Sequence, residues 1–132
     1  MKKLKRQVLL VDDDPQNNFL SKMVLKISLG KIEVTDFIVP EVGLEYIESE
    51  FVPSPDGEKT TLLLDINMPT MLGWEFLEKF DNFKEHLKKQ FSIYILSSSV
   101  DPSDIRRAKQ NPLVVDFIEK PLTKATVLRM FG

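Results

Sequence analysis

Three carboxylates, a hydroxyl and an ammonium each stand where an apolar run of this sequence ends. Val8-Leu9-Leu10-Val11 runs into Asp12-Asp13-Asp14, and Leu62-Leu63-Leu64 runs into Asp65. Ile93-Tyr94-Ile95-Leu96 meets Ser97-Ser98-Ser99, and Val114-Val115-Asp116-Phe117-Ile118 leads to Lys120-Pro121. Brought together, Asp12, Asp13 and Asp65 would repel one another unless a cation neutralised them. The chain has no cysteine and one histidine, so the donors are oxygens and the natural cation is Mg2+, with Mn2+ as the alternative. Mg2+ takes one or two carboxylates, keeps waters and completes its shell with phosphate oxygens, which describes a phosphate site rather than a metal cage. Lys120 could meet the same phosphate as a point charge, and Ser97 offers a hydroxyl. Each residue alone also has a bland reading. Asp14, directly before Pro15, reads as a helix cap. Asp12 and Asp13 could be turn residues, Ser97 a cap, and Lys120 a solvated lysine. Pro121 bears on the last of these, because an X-Pro bond can be cis and set a side chain's direction.

The elements that must position these groups alternate along the chain. A short apolar run bounded by turn signals reads as a strand buried on both faces of a parallel sheet. After the first run, Asp14-Pro15 has the form of an N-cap followed by proline at the first helical position. Phe19, Leu20, Met23, Val24 and Ile27 recur at helical spacing, and Gly30 supplies a stop. Ile32 to Phe37 alternates like a strand, and a helix from about Pro40 carries Leu44, Ile47 and Phe51 on one face. Pro53-Ser54-Pro55-Asp56-Gly57 is a loop by composition. A helix with Phe76, Leu77 and Phe80 inward follows Asp65. The stretch from Asn82 to Gln90 is polar and ambiguous. Asp101-Pro102 opens another helix that stops at Asn111-Pro112, and Thr123 caps a final helix through Met130. Five strands interleaved with five helices, short connections and right-handed crossovers predict a doubly wound (βα)5 three-layer α/β sandwich. Its strand order is expected to be flavodoxin-like, with a central five-stranded parallel sheet. In such sheets ligands sit beyond the carboxyl ends of the strands, at the switch point that the first and third strands would flank. That is where the acids fall.

Bulk properties narrow the class. With 132 residues the chain suits one domain with one core. A formal net charge of −2 argues against a nucleic-acid module, which usually carries a basic surplus. No apolar run approaches membrane-spanning length. The basic start, Met1-Lys2-Lys3-Leu4-Lys5-Arg6, reads as solvated chain, because the apolar stretch behind it is too short for a signal peptide. A cytoplasmic location is the default expectation. His86 reads as a surface residue, Trp74 as partly buried helix packing, and Arg106, Arg107 and Lys109 as a solvated helix face.

Taken jointly, the residues resemble the response-regulator receiver domain of two-component signalling, over essentially the whole chain from Val8 to about Met130. The family's acidic pair matches Asp12-Asp13, its phosphoacceptor matches Asp65 in Leu64-Asp65-Ile66-Asn67-Met68-Pro69, and its later glycine matches Gly73. Its switch hydroxyl matches Ser97, its aromatic switch position Phe117, and its lysine and cis-proline Lys120-Pro121. The resemblance implies a stand-alone receiver over residues 1–132, with a core of about 7–131. Asp65 would take a phosphoryl group from a sensor histidine kinase or a phosphotransfer protein. Mg2+ would be held by Asp13, Asp65 and the backbone carbonyl of Asn67, with Asp12 orienting a coordinated water. Lys120, Ser97 and the backbone N–H of Ser98 would bind the phosphoryl oxygens. Such a chain modifies itself but is not a turnover enzyme. Its signal would reach an unidentified protein partner, or a second copy, through the fourth helix, fifth strand and final helix. Ser98 stands where many receivers have alanine, Asn111-Pro112 where many have Gly-Ala, and Phe117 lacks a tyrosine's hydroxyl. The final helix after Pro121 is short. Two other readings remain. One is a binding module of this fold that never takes phosphate. The other is a haloacid-dehalogenase-type phosphatase, which wants a second aspartate two residues after the nucleophile, where this chain has Asn67.

Overall fold

The computed structural model describes residues 6–54 and 57–131. The basic lead-in Met1 to Lys5, and Pro55 and Asp56 of the expected loop, lie outside the described residues. Five strands, β1 (Arg6–Val11), β2 (Ile32–Phe37), β3 (Thr60–Leu64), β4 (Phe91–Ser97) and β5 (Val114–Glu119), form one parallel sheet in the order β2-β1-β3-β4-β5. Six helices flank it: α1 (Pro15–Leu29), α2 (Pro40–Ser49), α3 (Gly73–Asp81), α4 (Glu85–Lys88), α5 (Pro102–Gln110) and α6 (Lys124–Phe131). This is the flavodoxin-like α/β architecture, with β1 and β3 adjacent at its centre.

Strand residues alternate between the two faces, and the cores follow that alternation. Leu9, Val11, Leu62, Leu64, Ile93 and Ile95 pack with Leu44 and Ile47 of α2, Phe76, Leu77 and Phe80 of α3, and Ala108 of α5. Val8, Leu10, Leu63, Leu96 and Ile118 pack on the other face with Leu25 of α1 and Val127 of α6. All five residues of β3 are buried. Covered by helices on both sides, the strand ends in the apolar run Leu62-Leu63-Leu64, which stops dead at Asp65.

Local signals act as expected at most helix ends. The Asp14 carboxylate accepts from the Gln16 N–H at 3.0 Å, and Asp101 accepts from the Ser103 N–H at 2.9 Å. Thr123 Oγ1 accepts from the Thr126 N–H at 3.2 Å. Gly30 closes α1 with φ +75°, a left-handed backbone that side-chain-bearing residues avoid. The Lys120–Pro121 bond is cis.

Three expectations need correction. The polar stretch from Asn82 to Gln90 contains a sixth helix, α4, so the helix counted fourth from the sequence is α5. It is a single turn, too short to carry a periodic signal. Phe51 lies beyond the end of α2 and packs edge-tilted on Phe91, with ring centroids 4.6 Å apart. The apolar stripe of α1 is not its packed face. Phe19, Leu20, Met23 and Ile27 are exposed, at 62%, 54%, 43% and 71%, whereas Asn18, Ser21 and Leu25 are buried. The reason lies at the helix start, where the Asn18 carboxamide donates to the Asp12 carbonyl at 2.9 Å. That bond turns the side of Asn18, Ser21 and Leu25 toward the sheet, and a helix of 3.6 residues per turn carries Phe19, Leu20 and Met23 outward.

Candidate functional site

The acidic residues meet at the carboxyl edge of the sheet because β1 and β3 are hydrogen-bonded neighbours in register, Val11 opposite Leu64. The next residues are Asp12 and Asp65, and the Asp65 N–H donates to the Val11 carbonyl at 2.9 Å. Carboxylate oxygens of Asp12, Asp13 and Asp65 lie within 4.8 Å of one another. Among the described residues no other group of three acids or histidines is close enough to hold a metal. Hard oxygen donors, one of them half-buried, fit a small divalent cation such as Mg2+.

The three acids have different surroundings. Asp12 is 3% exposed. Its Oδ1 accepts from the Asp14 N–H at 2.9 Å, and its Oδ2 accepts from the Asn17 carboxamide at 2.7 Å. The Lys120 ammonium reaches the same Oδ2 at 2.7 Å. Asp65 is also buried, and its Oδ1 accepts from the Ile66 N–H at 2.9 Å and lies 3.5 Å from Lys120 Nζ. Asp13 is half-buried, and its carboxylate has no hydrogen bond or ion pair among the described residues.

These surroundings set the charges. Burial, and then the Asp12 carboxylate, push the Asp65 pKa up from 3.8 to about 6, while Lys120 and the Ile66 N–H pull it partly back. Burial works against the Lys120 ammonium, but its bond to Asp12 and the charges of Asp65 and Asp12 hold its pKa above the ordinary lysine value. Lys120 is therefore a cation fixed between two acids.

β4 and β5 bring the remaining groups. The Lys120 N–H donates to the Ser97 carbonyl at 2.8 Å, so lysine and hydroxyl share one edge of the site. Ser97 is fully buried, and its Oγ accepts from the Ser99 N–H at 3.1 Å. Ser98 is exposed immediately beyond, and Asn67 is exposed in the turn after β3. Phe117 pairs with Ile95 across β4 and β5 and is half-buried against the core that carries α5. Gly73 opens α3 directly over the Asp65 backbone. Its N–H donates to the Ile66 carbonyl at 2.7 Å, and a Cβ there would lie 2.5 Å from the Asp65 carbonyl oxygen. Only glycine fits so close an approach. Next along, Trp74 is buried with the Arg107 guanidinium of α5 over its ring, 4.8 Å from the centroid. Arg107 is thus not wholly a solvated residue, and Trp74 is more buried than expected. Asn17 and Asn18 of α1 also join the site through Asp12. Their signal was two adjacent asparagines, poor helix formers, inside the first turns of a helix.

The arrangement can hold a divalent cation beside the Asp65 carboxylate at the carboxyl edge of the sheet, with a fixed ammonium and a hydroxyl nearby. A family model described as the response regulator receiver domain matches residues 8–131. The two-component response regulator ARR22 of Arabidopsis thaliana is 30% identical over 134 residues, covering 100% of this chain and 85% of that protein. The cyclic di-GMP phosphodiesterase response regulator RpfG of Xanthomonas campestris pv. campestris (strain 8004) is 30% identical over 115 residues. That match covers 87% of this chain but only 28% of the Xanthomonas protein. A solved two-component response regulator from Cytophaga hutchinsonii superposes with a TM-score of 0.83 at 26% identity, covering 98% of this chain and 96% of that one. The chemotaxis response regulator CheY4 of Vibrio cholerae, at 20% identity and a TM-score of 0.75, shares the fold.

Proposed function

The chain belongs to the response-regulator receiver family of two-component signalling, and from that premise we propose that Asp65 is its phosphoacceptor. The observation that carries this reading is the position of Asp65. It ends the central strand β3, 3.5 Å from the Lys120 ammonium and within 4.8 Å of Asp12 and Asp13. Receivers of this family are in general not turnover enzymes, and the covalent step falls on the chain itself.

An Asp65 oxygen attacks the phosphorus of a phosphohistidine on a sensor kinase or phosphotransfer protein. The O–P bond forms, the P–N bond breaks, and the released imidazole nitrogen takes a proton from solvent. Asp13, Asp65 and the Asn67 backbone carbonyl would hold Mg2+, with Asp12 orienting a bound water. The cation supplies charge neutralisation for the incoming phosphoryl oxygens. The chain's own part is placement. Lys120 is held ready between Asp12 and Asp65, and it receives one phosphoryl oxygen. The Ser97 hydroxyl and the Ser98 N–H receive others. If the Ser97 hydroxyl moves inward as it donates to a phosphoryl oxygen, the half-buried Phe117 ring can follow into the space that this opens. α5, β5 and α6 then present a changed face to a partner, a second copy included. A phosphodonor protein must reach Asp65 from solvent. The exposed Phe19, Leu20 and Met23 of α1, just beyond Asp12-Asp13, give such a donor apolar surface beside the site. No helix among the described residues is long and apolar enough to cross a membrane, and a cytoplasmic location goes with this reading.

Intact mass measured after incubation with acetyl phosphate and Mg2+ tests the proposal. Wild-type protein is expected to gain one phosphoryl group, and Asp65→Asn is expected to gain none. Equal labelling of the two would refute the assignment.

A further inference from the structure

Asp12 lies across the start of α1, and two consecutive residues of that helix grip it. The Asn18 carboxamide donates to its backbone carbonyl at 2.9 Å, and the Asn17 carboxamide donates to its Oδ2 at 2.7 Å. Asn18 is buried and also sets the helix against the sheet. Asn17 is half-exposed, and its one side-chain hydrogen bond runs to the carboxylate. Nothing in the packing requires asparagine there, and asparagine is a poor residue inside a helix. The same Oδ2 carries the Lys120 ammonium at 2.7 Å, so a neutral donor and a cation share one oxygen. An ammonium that turns fully to phosphoryl oxygens on Asp65 gives up its 2.7 Å contact with Asp12.

We propose that Asn17 is a positioning residue, whose carboxamide keeps the Asp12 carboxylate in place when the Lys120 ammonium turns toward the phosphoryl group. This rests on the reading of Asp65 as phosphoacceptor and goes beyond it, to a residue outside the acid, hydroxyl and lysine set. With Lys120 withdrawn, Asp12 Oδ1 keeps the Asp14 N–H and Oδ2 keeps only Asn17. Without Asn17 the carboxylate can rotate about its Cα–Cβ bond away from the cation. A carboxamide is suited to this task because it donates without adding charge. A lysine or arginine would compete with the metal, and an acid would repel Asp12.

The test uses the full chain with two readouts, in wild-type and Asp12→Ala backgrounds. Mn2+ affinity is read by electron paramagnetic resonance of the free ion, and the phosphorylation rate is read with acetyl phosphate. A small-molecule donor removes any effect of Asn17 on a protein docking to α1. Outer partners of metal-site carboxylates usually matter by roughly tenfold or more. Asn17→Ala is therefore expected to lower the phosphorylation rate about tenfold and Mn2+ affinity several-fold, with unchanged far-UV circular dichroism. In the Asp12→Ala background the same change is expected to do nothing further, because the group it acts through is gone. Wild-type rate and affinity in Asn17→Ala would overturn the inference. So would an equal loss in both backgrounds, which would mean that Asn17 acts elsewhere. Neither result would touch the assignment of Asp65, which stands or falls on labelling of Asp65→Asn.

Discussion

The raised pKa of Asp65 makes metal-free stability depend on pH in a way that one substitution removes. In the unfolded chain this carboxyl titrates near 3.8, and in the folded protein near 6. That difference is worth about 3 kcal/mol between the two protonation states. Asp65 is buried, and relaxation of the dipoles around it brings the expected amplitude to about 2 kcal/mol. The sign follows from proton counting. Between pH 4 and 6 the folded state holds a proton that the unfolded state has released, so stability falls as pH rises. The contribution is fully present below pH 4 and lost above about pH 6, where the folded protein must carry a buried anion beside Asp12. Asp65→Asn keeps the shape and never ionises. Urea melts of both proteins in EDTA, from pH 4 to 8, isolate the effect, since the other carboxyls are common to the two. The variant is expected to match wild type near pH 4 and to exceed it by about 2 kcal/mol at pH 8, a rise of several degrees in Tm. Excess Mg2+ at pH 8 should close the gap, because it binds the ionised wild-type cluster more tightly. A difference that is constant across pH, or a variant less stable at pH 8, would refute the reasoning.

Asp13→Asn, at the acid with no partner of its own, should stabilise the EDTA-treated fold by on the order of 1 kcal/mol and weaken its response to Mg2+, both read in denaturant melts. Gly73→Ala would press a methyl group to 2.5 Å from the Asp65 carbonyl oxygen and 2.9 Å from Ile66 Cα, both backbone atoms. It should cost about 2–3 kcal/mol in the same melts and slow labelling of Asp65 by acetyl phosphate. Arg107→Ala removes the cation over the protein's one tryptophan. It should shift Trp74 emission to the red and cost about 0.5–1 kcal/mol of stability.

What the sequence discloses about this fold follows from how each element is buried. β3 is covered on both faces, so after Thr60 and Thr61 it runs through three buried leucines, and its end is unmistakable in the step to Asp65. The helix caps at Asp14, Asp101 and Thr123 are local, set by residues two or three positions away, and they too are legible. The face of α1 is not local. Helical spacing picks out Phe19, Leu20, Met23 and Ile27, yet the side that packs is chosen by the bond from Asn18 to Asp12, a tertiary contact that no periodicity encodes. α4 escaped for a different reason, since one turn holds too few residues to display a period. At the site, the strand-end residues could be read as a converging set because parallel strands deliver their ends to one edge. Asn17 is marked only as a poor helix former inside a helix, because its contact with Asp12 exists only once Asp12 lies across the helix start.

Asp12 and Asp13 show where residue type stops being informative. Two adjacent carboxylates are indistinguishable by composition, and neighbours in a chain leaving a strand face different ways. Asp12 turns inward, where its N–H donates to the Phe37 carbonyl at 3.0 Å and its side chain is tied to Asp14, Asn17 and Lys120. A carboxylate so fully engaged has few lone pairs left for a cation, and its negative charge instead holds Lys120 in place and raises the pKa of Asp65. Asp13 turns toward the rim with its oxygens uncommitted, and it can take a metal without first breaking a bond. The neighbouring acids therefore divide the work that the cluster must do. One is fixed and sets the field in which Asp65 ionises, and the other is free to meet the cation that makes that ionisation tolerable. The division predicts opposite signs for the same kind of change. Neutralising Asp13 should stabilise the metal-free fold, whereas Asp12→Ala strands the Lys120 ammonium and two amide donors and should destabilise it.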